Sequence, residues 1–158
     1  MPPSTVELVT SALAAGGASG APAELPDAVR TAVEAAAALG CEVGAIANSL
    51  IFDAAGRPVL VLTSGAHRVD TAALAARIGV EALRRASPDF VREHAGQPIG
   101  GVSPVGHPAR IPTYVDTWLA DHPVVWAAAG HPNWVFPTSF AELVTVTDGT
   151  AVDVTAGA

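Results

Sequence analysis

The stretch Asn48-Ser49-Leu50-Ile51-Phe52-Asp53-Ala54-Ala55-Gly56-Arg57-Pro58-Val59-Leu60-Val61-Leu62-Thr63 decides the fold. Asn48 to Asp53 has a strand pattern, Ala54 to Arg57 has turn composition, and Pro58 to Thr63 is an apolar run that returns beside the first. A β-hairpin is expected here. Upstream, Glu42 to Ala47 fits one or two helical turns. Thr31-Ala32-Val33-Glu34 has capping-box spacing and opens an alanine-rich helix that stops at Gly40. Pro22 to Pro26 is a short extended piece. Ser4-Thr5-Val6-Glu7 is another capping box, predicting a first helix over about residues 5 to 15, ended by Gly16, Gly17 and Gly20.

Downstream of the hairpin, Asp70 to Ile78 resumes a helical period and Gly79 closes it. Val80 to Ala86 fits strand or helix. Ser87-Pro88-Asp89 starts a helix with proline at its first position, and Gly96 ends it. Ile111 to Val115 reads as a short strand and Asp116 to Asp121 as a helical turn. Pro123 to Ala129 is a strand apolar on both faces, hence central, with Trp134 to Phe136 pairing nearby. Ser139-Phe140-Ala141-Glu142 caps a brief helix, and Ala151 to Val154 adds an edge strand. Helices and strands intermix without strict alternation, which predicts an α+β fold with a mixed, largely antiparallel sheet flanked by helices. With no repeat and no linker, residues 1–158 are expected to form one domain.

The 158 residues are half apolar and only 15% charged, which fits a packed core and not a disordered chain. A formal charge of -7 argues against broad binding to a nucleic-acid backbone, DNA included, so any such contact must be small and local. All basic residues are arginines. The N-terminus, Met1-Pro2-Pro3-Ser4, lacks the pattern of a leader, and no apolar run is long enough to cross a bilayer, so a cytoplasmic protein away from membranes is expected. The single Cys41 forms no internal disulfide and, with no Lys or His beside it, reads as an inert buried thiol.

Gly100-Gly101-Val102-Ser103-Pro104-Val105-Gly106-His107-Pro108 is the candidate site. Adjacent glycines admit positive φ and let a ligand approach bare main chain, and Pro104 stiffens the loop after them. A stiff loop of free amides suits a carbonyl or oxyanion, although such a loop also serves as an ordinary connection. Ser103 begins a G-x-S-x-G pattern, but position 105 is Val and Pro104 has no N–H for an oxyanion hole, so a nucleophile is not expected. His67, His94, His107, His122 and His131 lack ligand spacing, and no metal is expected. His131, after a buried strand, is placed to face a cleft. Asp116 and Asp121 read as a solvated turn, not an acid/base pair. Arg84 and Arg85 read as a solvated pair with some prospect of a phosphate contact.

Three stretches together resemble the YbaK family of aminoacyl-tRNA deacylases, relatives of the editing domain of bacterial prolyl-tRNA synthetases. They are Glu42 to Phe52, the Gly100 to Pro108 loop with Gly100 and Pro104 as the family's G-x-x-x-P, and Val125-Trp126-Ala127-Ala128-Ala129-Gly130. The resemblance spans roughly residues 22–154, leaving 1–21 as an added helix and glycine-rich connector. It implies hydrolysis of the ester joining a wrong amino acid to the tRNA acceptor end, with no metal, cofactor or protein nucleophile. Gly100, Gly101 and Val102 would hold the carbonyl, with Asn48 taking part, and Ser49, Ser103, Pro104, Gly130 and His131 would line the substrate. Asn48 stands where the family has a lysine, so activity is expected to be weakened or lost, unless Arg68 or Arg110 reaches the phosphate.

Overall fold

The computed structural model describes residues 3–29 and 31–155. Met1 and Pro2, part of the N-terminus considered for a leader, lie outside them. The elements are α1 (Ser4–Ala15), β1 (Ala23–Glu24), α2 (Ala32–Leu39), β2 (Ile46–Ala54), β3 (Arg57–Ser64), α3 (Thr71–Ile78), β4 (Arg84–Arg85), α4 (Pro88–Ala95), β5 (Thr113–Asp116), β6 (Val125–Ala128), β7 (Trp134–Thr138), α5 (Phe140–Thr147) and β8 (Thr150–Val152). One mixed, mostly antiparallel sheet has the order β1-β7-β6-β2-β3-β5-β8, with β4 pairing β2 beside it. The expected α+β class is the one observed.

Strand alternation divides the core. Leu60 and Leu62 point to a cluster with Val9 and Leu13 of α1, Val91 of α4 and Leu143 of α5. Val59 and Val61 point the other way, onto Leu74 and Ala75 of α3, while Ile46 meets Ala35 and Ala36 of α2. The sheet is therefore covered by α1, α4 and α5 on one face and by α2 and α3 on the other.

Local signals account for most helix ends. Thr31, Ser87 and Ser139 accept the amides of Glu34, Phe90 and Glu142, and Asp70 accepts that of Ala73. Ser4 does not cap: the helix starts one residue early, with Pro3 as an N-cap lacking a side-chain bond and Ser4 already in the first turn. The helical reading of Glu42 to Ala47 shrinks to a 3-10 turn over Val43–Ala45, because Ile46 and Ala47 are drawn into β2 by parallel pairing with Trp126 and Ala127. Of Val80 to Ala86, only Arg84–Arg85 is strand, and it pairs with Phe52 and Asp53. β6 is interior as expected, but only its Val125/Ala127 face is core; Trp126 and Ala128 border a cavity.

Candidate functional site

Between its pairings with β6 and β4, one edge of β2 is bare. Pairing with β6 stops at Ala47 and pairing with β4 starts at Phe52, so Asn48 to Ile51 have a sheet neighbour only on the β3 side. A cavity of about 570 Å³ wraps around this gap. Asn48 and Ser49 both line it although they point to opposite faces of the sheet, because the cavity passes around the strand's edge. Its walls are α2, through Ala32, Ala35 and Leu39; α4 and its approach, through Arg85, Pro88 and Val91; Trp126 and Ala128; and the loop residues Ile99, Gly100 and Val102.

The glycine loop presents alternate amides. Gly101 N–H donates to Pro98 O at 3.0 Å and Ser103 N–H to Gln97 Oε1 at 2.7 Å. Gly100 and Val102 N–H, on the residues that alternate with these along the chain, have no acceptor among the described residues, and both residues border the cavity. Gln97 sets this pattern. It is the sole glutamine and only 2% exposed, and its Nε2 also donates to Val105 O at 3.1 Å. No local sequence signal marks it, since its partners are defined only once the loop has folded back over it.

The expected site residues separate accordingly. Asn48, Ser49, Gly100 and Val102 come together on the cavity. Gly101, expected to offer an amide, has that N–H committed to Pro98. It is glycine for another reason: a Cβ there would lie 2.7 Å from the His131 backbone. Ser103 is fully buried, and its Oγ accepts from Val105 N–H at 3.3 Å, so it is scaffold and not a substrate contact. Pro104 is buried beside it and does not border the cavity. Gly130 and His131 do not line the cavity either. Gly130, at φ +96°, abuts the Thr5 backbone of α1, and His131 accepts the Asn133 amide on Nδ1 at 3.2 Å, closing its own turn.

His107 sits within the loop, its Nε2 2.8 Å from Ser103 O, and burial lowers its pKa despite that hydrogen bond. Arg85 is the cation on the cavity wall among the described residues; its guanidinium is exposed and unpaired there. Arg110 is instead tied to Asp148, and neither it nor Arg68 borders the cavity. Ser49 Oγ is buried without a hydrogen-bond partner.

Asp116, read from sequence as solvated, is fully buried. It accepts from Ser64 N–H at 2.8 Å and Trp118 N–H at 3.0 Å, and His67 Nε2 lies 2.6 Å away. These bonds join the ends of β3 and β5, away from the cavity. Asp121 is exposed. Cys41 is half-buried beside α2, where burial raises its pKa. Among the described residues no cluster of His, Cys, Asp and Glu is arranged to hold a metal ion, and no helix is long and apolar enough to cross a membrane.

A mixed sheet thus leaves one strand edge open beside a loop in which the Gly100 and Val102 amides have no acceptor among the described residues. The chain belongs to the aminoacyl-tRNA editing domain family, whose model matches residues 26–146. A crystal structure described as a proposed trans-editing enzyme for prolyl tRNA synthetase superposes with a TM-score of 0.92 at 39% identity, over 99% of this chain and 100% of that one. The chain is 40% identical over 78 residues to a proline–tRNA ligase of Thermosipho melanesiensis, covering 49% of this chain and 14% of the ligase. It is 33% identical over 104 residues to the uncharacterized protein YwhH of Bacillus subtilis, covering 65% and 66% of the two. The chain thus spans only a small part of the ligases it resembles.

Proposed function

We propose that this chain is a trans-acting aminoacyl-tRNA deacylase that hydrolyses the ester of a mischarged small amino acid, with the tRNA for proline as its carrier. The observation that carries this reading is the pair of unpartnered amides, Gly100 and Val102, on the wall of a cavity shared with Asn48 and Ser49. Two N–H groups aimed at one oxygen stabilise the oxyanion that forms when water adds to the ester carbonyl. Collapse of that adduct breaks the bond to the ribose oxygen, which takes up a proton, and frees the amino acid. Ser103 is buried, hydrogen-bonded and off the cavity wall, and the residues that line the cavity supply no activated nucleophile, so water serves as the attacking group in this reading. The similarity to a protein described as acting in trans for prolyl tRNA synthetase supports the choice of carrier.

A second reading is favoured by Asn48: a binder that keeps the pocket but has lost turnover. Asparagine donates a hydrogen bond without charge, and a bond to a charged group contributes about 1.5–3 kcal/mol. A panel of mischarged tRNAs separates the two readings. Free amino acid released above the buffer rate supports the deacylase; tight binding without release supports the binder. Gly100→Ala should lower turnover toward the roughly 10²–10³-fold loss that accompanies removal of one oxyanion donor. At φ +91° with open space around it, a Cβ there strains the backbone without clashing. Full activity in Gly100→Ala would count against a Gly100 amide held at positive φ as an oxyanion donor.

A further inference from the structure

Ser49 lines the cavity, and its main chain can be oriented from the sheet register. Leu60 donates its N–H to Pro112 O, on the β5 side of β3. Ile51, opposite Leu60, therefore points its N–H and C=O away from β3, and so does Ser49 two residues earlier. Ile46 fits this alternation, since its carbonyl accepts Gly65 N–H on the β3 side. The main-chain groups of Ser49 thus enter the gap between β6 and β4, where β2 has no neighbour. Its Oγ is buried and equally unpartnered. Among the described residues lining the cavity there is no carboxylate.

We propose that the Ser49 carbonyl and Oγ receive the free α-amino group of the bound aminoacyl ester, so that the protein selects unblocked aminoacyl groups over N-acylated ones. This rests on the deacylase or binder reading of the cavity. The loop amides are donors and suit only the carbonyl end of an amino acid. The amine is a donor and requires acceptors, and the bare sheet edge supplies them from the strand that carries Asn48. An N-acyl group removes amine hydrogens and adds bulk against a backbone that cannot move aside, because β3 holds β2 from Ala47 to Ala54. A peptide strand pairing here would have only four residues of free edge, closed at both ends by β6 and β4.

The test is calorimetric binding of three stable amide analogues to the full chain: 3′-alanylamino-3′-deoxyadenosine, its propionyl counterpart lacking the amine, and its N-acetylalanyl counterpart. The alanyl compound is expected to bind about 10-fold more tightly than the propionyl one, a difference of about 1.4 kcal/mol. The N-acetyl compound should be weakest. Ser49→Ala should narrow the alanyl-to-propionyl ratio several-fold while leaving propionyl affinity unchanged, whereas Gly100→Ala should weaken all three alike. Equal binding of the alanyl and propionyl compounds overturns the inference and leaves the proposed function standing. A ratio unmoved by Ser49→Ala overturns the part assigned to the Ser49 Oγ, since alanine keeps the main-chain carbonyl. Failure of all three to bind overturns the inference and the reading it rests on.

Discussion

Gln97 and Asn48 set the limits of the site in different ways. The Gln97 carboxamide is bonded on both sides, to the Ser103 amide and the Val105 carbonyl, inside a wall closed to solvent. Gln97→Ala strands the Ser103 N–H, which costs about 1–3 kcal/mol for a buried unpaired donor. Chemical denaturation should show that loss, and turnover should fall further than stability does, because the register of the Gly100 and Val102 amides goes with it. The Asn48 side chain makes no hydrogen bond to a described residue, and Asn48 lines the cavity. If the missing charge is the defect, Asn48→Lys raises hydrolysis of mischarged tRNA by about 10-fold or more, the equivalent of a charge-assisted bond; an unchanged rate refutes that account. Asn48 is legible in the sequence because it opens the strand half of a recognisable hairpin. Gln97 is not, because nothing local to Gly96-Gln97-Pro98 specifies a partner six to eight residues on.

At the scale of the element, hairpins and helix ends were readable and pairings across the chain were not. Thr31, Ser87 and Ser139 announce their helices through residues three positions away. Ile46 and Ala47 are strand only because β6 lies beside them, and Asp116 is buried only because Ser64, His67 and Trp118 converge on it. The β2–β3 turn carries its own strain. Ala55 and Gly56 have φ of 54° and 88°, the first in a region that an alanine adopts at a cost of about 1–2 kcal/mol. Asparagine tolerates that conformation, so Ala55→Asn should stabilise the protein by about 0.5–1 kcal/mol in thermal melts with activity unchanged. The glycine loop gives stability a dependence on pH. Burial lowers the folded pKa of His107 below its ordinary 6.5, with the Ser103 bond opposing. The unfolded chain then binds more protons than the folded one as pH falls below about 6.5, so stability present at neutral pH is lost toward the folded pKa. Melting temperature should drop between about pH 7.5 and 5.5, and drop less in His107→Gln, whose amide keeps a donor near Ser103 O; equal drops would remove His107 as the cause.

Over the whole molecule, α1 and the overall charge act on the site from a distance. Val9 and Leu13 enter the same core as the loop residues Val102 and Val105, and Gly106 and Gly130 are bare where α1 presses on them. The helix at 4–15, outside the matched segment 26–146, is thus the floor under both loops. Apolar spacing revealed a helix there but not what it supports, since the contacts join residues some hundred positions apart. The charge of -7 was fully legible, and it constrains how the proposed deacylase would hold tRNA. Each phosphate neutralised on a single strand contributes about -0.7 to the slope of log affinity against log salt. Arg85 is the cation on the described cavity wall, so one or two contacts at the acceptor end give a slope of about -0.7 to -1.4. Titrations of an aminoacyl-tRNA analogue from about 50 to 200 mM salt should show that shallow dependence, and Arg85→Ala should flatten it by about 0.7 while turnover at saturation persists. A steep slope, on the order of -5 or more, would mean that the tRNA body is gripped by a surface elsewhere on the molecule, and the confinement of recognition to the open edge of β2 would be wrong.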